Sequence, residues 1–199
     1  LATVVSLLAK VIASFVARDT RFVTRHTAHQ VAAGSTPKLA AMASLQLPRR
    51  AGERPSTTAA NPHAQLDQQP TDPRLAEELA RRVFALAGVV ERPSGISVPG
   101  ARALTLAPGE PAGPPEAFLI EREFAHLHPA PDHSLHAMLA PAIVDAVIDA
   151  GWAEPHPAAL SGLIPATAVL IYAPRDEAEL DVVECLVRSS HAFARPVVT

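Results

Sequence analysis

The chain has one cysteine in 199 residues, which excludes a disulfide scaffold. It has no lysine after Lys38. Its 9 Gly and 20 Pro follow no collagen period, and at 48% hydrophobic it is too apolar to be wholly disordered. The sequence contains no G-x-G-x-x-G, G-x-x-x-x-G-K-[ST], C-x-x-C, H-E-x-x-H or G-x-S-x-G. The common dinucleotide, phosphate-loop, redox-thiol, zincin and nucleophile-elbow chemistries therefore have no motif to stand on. Cys185 lies mid-helix without an activating neighbour and reads as a small hydrophobe.

What is present falls into two unlike parts. Residues 1–65 hold eight Lys/Arg against Asp19 and Glu53, a net of +6. The rest holds nine basic and 18 acidic residues, a net of −9, inside an overall −3. Residues 1–17 (LATVVSLLAKVIASFVA) are nearly all apolar and about as long as the shortest membrane spans, roughly 17 residues. Lys10 near their middle opposes insertion by roughly 2.5–3.5 kcal/mol, and Ser14 to Arg18 make a poor signal cleavage site. Residues 18–65 are rich in Arg, Ser, Thr and Ala and carry four prolines. They offer too little apolar surface to offset ordering entropy, so 1–65 reads as a basic, disordered leader or tether. The expected location is cytoplasmic, with membrane association or export through residues 1–17 as the alternative. An acidic domain argues against nucleic acid as partner.

The expected domain spans 72–196. Asp72 and Pro73 form a helix start, followed by an apolar stripe at Leu75, Leu79, Val83 and Leu86, with Gly88 as the stop. Strands are expected at Ala101–Leu106, at Ala117–Glu123 continuing to His128, and at Ser134–Leu139, the last two joined as a hairpin across Pro129–His133. Pro141 opens a second helix closed by Gly151, with Trp152 folding back onto Val147. Residues 153–166 show no regular period. Thr167–Ala173 reads as the central strand. Asp176 and Glu179 have capping-box spacing for a last helix ending near Ala194. The order α-β-β-β-α-β-α predicts an α+β domain: a mainly antiparallel four-stranded sheet with helices packed on one face.

Five histidines lie between Ala125 and Pro157: His126, His128, His133, His136 and His156. His126 and His128 share a face of one strand, and the hairpin brings His136 opposite them. His126, His128 and His136 form a candidate set for a transition metal such as Zn, Cu, Ni or Fe. With His156 they could equally be an acid/base site near neutral pH, or a polar cleft with no metal. Arg175 is a candidate anion or carboxylate binder. Asp132 and Glu154 are the nearer carboxylates, Asp132 first as a turn residue. Glu121 and Glu123 read as solvent-facing.

The string from Phe124 to Phe193 resembles a known family. AHLHP, SLH, DAGWAEPHP, VLIYAPRDEAEL and SSHAFA are similar, in that order, to the small bacterial and fungal proteins of the luciferase-like domain family. The resemblance marks His126, His128, His136, Trp152, Glu154, His156, Tyr172 and Arg175 as motif positions, and His133 as incidental. It implies a small-molecule or metal site of oxidoreductase type, in which a cofactor or metal must carry the redox work. The alternative is a non-enzymatic interaction module using the sheet face. Imidazoles gathered in one place favour the first reading, and imidazoles spread over a surface favour the second.

Overall fold

The computed structural model describes residues 47–196. The reading of residues 1–17 as an apolar helix, and most of the basic leader, lie outside the described residues. No helix among the described residues is long and apolar enough to cross a membrane.

Helix α1, Pro73–Phe84, starts as its sequence asks: Asp72 accepts a hydrogen bond from the Arg74 amide, and Pro73 occupies the first turn. Strands β1 (Val89–Pro93), β2 (Arg102–Leu106), β3 (Glu123–Leu127) and β4 (Leu135–Met138) follow. Then come α2 (Pro141–Asp149), β5 (Ala153–Pro155), the one-turn α3 (Pro157–Leu160), β6 (Ala168–Ile171) and α4 (Glu177–Phe193). The Asp176 side chain accepts from the Glu179 amide and caps α4. Gly151 closes α2 with φ +86°, a conformation that a Cβ disfavours.

The class is α+β and the sheet antiparallel, but it has six strands in the order β1-β2-β3-β4-β6-β5, not four. The two extra strands are its edges. β1 is a short run ending in Pro93, and β5 has three residues ending in Pro155; both offer little period to read. The second expected strand also shifts: Pro115–Ala117 is a 3-10 turn, and the strand proper begins at Glu123.

Alternation across the sheet divides its residues between two faces. Leu104, Leu106, Ala125, Leu127, Leu135, Ala137, Val169 and Ile171 join Val83, Val147, Leu180, Val183 and Leu186 of the helices in one apolar core. The opposite face carries a row that crosses five strands by direct pairing: Ala103, His126, His136, Leu170 and Glu154.

That second face is covered by the segment 47–67, which the composition assigns largely to the leader. Polar contacts tie it down. Trp152 Nε1 donates to Pro48 O (2.6 Å), Arg50 N to Ala150 O (2.8 Å) and Ala173 N to Gln65 Oε1 (2.8 Å). Arg50, Pro55, His63 and Gln65 are buried there. Residues 47–65, which the composition groups with the leader, are thus packed against the domain.

Candidate functional site

The site grows out of the β3-β4 hairpin. His126 and His136 are direct cross-strand partners, and His128 shares their face. His156 caps α3 and leans over the same face: its ring centroid is 4.6 Å from that of His136. His63 arrives from the covering segment, with its centroid 5.4 Å from His136 and 5.3 Å from His156. All five are under a tenth exposed.

Each outer imidazole is held from behind. His126 Nδ1 lies 2.7 Å from Glu123 Oε1, and His128 Nδ1 lies 2.6 Å from Asp132 Oδ2. His63 Nε2 lies 2.8 Å from Glu154 Oε1. A carboxylate only accepts, so the ring proton of each sits on the nitrogen facing the carboxylate. His156 differs: its Nδ1 accepts the Ala158 amide (3.0 Å), which leaves its proton on Nε2.

The carboxylates are held in turn. Glu123 also receives Ser94 Oγ (2.7 Å) and the Gly95 amide (3.0 Å). Asp132 Oδ1 takes Ser134 Oγ (2.6 Å) and the Gln65 amide (3.1 Å). Glu154 takes Thr57 Oγ1 (2.6 Å) and Tyr172 OH (2.8 Å). Burial pushes Asp132 and Glu154 up, but hydrogen bonds outweigh it and hold both below the ordinary carboxylate range. The Tyr172 phenol is raised, first by burial and then by its bond to Glu154.

These protons leave a deficit at the centre. His136 has His126 Nε2 at 3.0 Å from its Nδ1 and His63 Nδ1 at 3.3 Å from its Nε2. Both neighbours present lone pairs, and a neutral His136 has one proton to offer. Burial, followed by the nearby imidazoles, lowers its pKa well below the usual value and opposes a second proton. With the proton on Nε2, toward His63, the free nitrogens of His126, His128 and His136 face one another. One nitrogen from each of these residues lies within 4.8 Å of the others. Three converging lone pairs repel unless a cation sits among them. Tetrahedral ligands at about 2.0–2.1 Å from one metal are roughly 3.3 Å apart, close to the 3.0 Å seen between His126 and His136.

The structure brings His126, His128, His136 and His156 together, as their spacing in the sequence suggested. It does not bring Arg175 among them. The Arg175 guanidinium is committed to Glu179, Ala51 O (2.7 Å) and Gln68 Oε1 (3.3 Å), so it clamps the covering segment. Glu123 is not solvent-facing but buried behind His126. Its position follows from a bulge: Leu104 pairs with Ala125 while Thr105 pairs with Glu123, which leaves Phe124 as an extra residue. The bulge turns Glu123 to the histidine face. Nothing in the sequence singles out His63. Its only local signal is a histidine in a polar run, 73 residues from its partner His136. His133 sits in the turn at φ +58°, with no hydrogen bond to the cluster.

A luciferase domain family matches residues 121–190, the stretch that holds His126, His128, His136, Glu154 and His156. Two proteins named luciferase, from Armillaria gallica and Armillaria mellea, are 35% and 33% identical over 164 and 163 residues. In each case the match covers 74% of this chain and 60% of the relative. Residues 121–190 of this chain are thus similar to a luciferase domain. A luciferase of Neonothopanus nambi is 39% identical over 75 residues, 37% of this chain and 28% of that one. The chain spans about 60% of the length of these Armillaria relatives. No solved structure matches it.

Proposed function

We propose that this domain is an oxidoreductase acting on a small molecule, with one transition metal held by His126, His128 and His136. The observation that carries the reading is the set of three buried imidazoles, two backed by carboxylates, with their remaining nitrogens converging. The relatives' name, luciferase, denotes light emission from an oxidation. Protein side chains supply no redox couple for that, whereas iron or copper on imidazoles would. Three protein ligands leave a position open for a substrate or dioxygen. Around it, Glu123 and Asp132 fix the ring orientations of His126 and His128, and His156 presents an N–H donor. Burial of the imidazoles favours this reading over a partner-binding sheet face.

Metal analysis of the full chain from rich medium tests it. The wild type is expected to hold roughly one equivalent of a first-row metal, and His128→Ala or His136→Ala under about 0.1. A wild type that stays under about 0.1 equivalent after reconstitution with iron, copper, zinc and nickel would sink the metal reading.

A further inference from the structure

The five buried imidazoles form two overlapping groups of three that share His136: His126, His128 and His136, and His63, His136 and His156. Only the first group offers three lone pairs at once. In the second, the Ala158 amide occupies the Nδ1 lone pair of His156, so the inward nitrogen is an N–H and cannot ligate. His63 therefore has no complete ligand set to belong to. Its geometry fits another task. Its Nδ1 faces His136 Nε2 at 3.3 Å, and its own proton goes to Glu154 at 2.8 Å.

A histidine bound to a metal through one ring nitrogen must give its other N–H to an acceptor, and that acceptor fixes its tautomer and its ring plane. Glu123 and Asp132 do this for His126 and His128. Among the described residues no carboxylate or carbonyl is bonded to His136; its neighbour on the far side is His63. We propose that His63, reaching in from the covering segment, is the positioning residue that holds His136 as an Nδ1 ligand, in a chain that runs metal–His136–His63–Glu154. The inference rests on the metal reading above. It gives every ring nitrogen of His126, His128, His136 and His63 at least one partner. It also places an essential part of the centre outside residues 121–190, on a segment held by Gln65 against Ala173 and Asp132.

Cobalt(II) titration of the metal-free full chain tests the proposal, because the visible absorption of cobalt reports ligand number and geometry. The wild type should take one cobalt. His63→Leu should bind roughly 10–100-fold more weakly and with an altered spectrum. His63→Gln, whose amide oxygen can accept the His136 N–H, should restore most of that affinity. Glu154→Gln should weaken binding several-fold, and it covers the case in which His63→Leu does not fold. Thermal unfolding without metal shows which variants fold. A folded His63→Leu, or failing that Glu154→Gln, with wild-type affinity and spectrum overturns the positioning role and leaves the three-histidine site standing. Two cobalt ions per wild-type chain, one of them lost in His63→Leu, would make His63 a ligand and also overturn it. A wild type that takes no cobalt overturns the metal reading itself.

Discussion

At the scale of single residues, the carboxylates behind the histidines each accept from several donors. The Glu123 carboxylate receives three donors: Ser94 Oγ, the Gly95 amide and the His126 ring. Glu123→Gln keeps the size but turns an amide N–H toward at least one of them. Leaving one buried donor unsatisfied costs roughly 1–3 kcal/mol. The unfolding free energy from urea titration should fall by that amount with the slope unchanged, and a loss under about 0.5 kcal/mol would contradict this packing. The sequence shows His126, His128, His136 and His156 because their spacing is local: two on a strand, one across a short turn, one beside a proline. It hides Glu123, whose face depends on a bulge at Phe124 that a strict two-residue alternation cannot express. It hides His63 because nothing near residue 63 indicates a partner at residue 136.

At the scale of elements, the ends of the helices are legible and the edges of the sheet are not. Caps are local chemistry: Asp72, Asp176 and Gly151 each act within a few residues of themselves. β1 and β5 exist because β2 and β6 offer them partners, and their own five and three residues hardly announce a strand. Gly151 separates conformation from space. A Cβ there would lie 3.6 Å from Arg50 Cβ, an ordinary contact, so only the backbone angle resists substitution. Gly151→Ala should cost about 1 kcal/mol, lowering the melting temperature by roughly 2–4 °C in a domain of this size. A rise in melting temperature would show that the end of α2 does not need the left-handed turn.

At the scale of the whole molecule, burial keeps histidines of the site neutral. Burial, then neighbouring imidazoles, lowers His156 to about 4; burial also lowers His126 and His136. An unfolded histidine takes its proton near pH 6.5, before the folded one does. The stability these groups contribute is thus complete above about pH 6.5 and declines as the pH falls toward about 4. Glu154 and Asp132, held below their usual values, add a loss of the same sign at lower pH. The metal-free protein should lose several degrees of melting temperature between about pH 7 and pH 4.5. A level profile would mean that the imidazoles are not held neutral. The pattern is possible because the sheet has one face sealed by helices and the other covered by an irregular segment. The two coverings differ in what their removal would entail. Lifting the helices exposes the apolar core and ends the fold. Lifting residues 47–67 breaks mainly hydrogen bonds and ion pairs, carries His63 away, and uncovers four imidazoles above a sheet that still has its core. The molecule is built like a vessel whose lid and wall are different materials, so the centre can be reached without opening the fold that supports it.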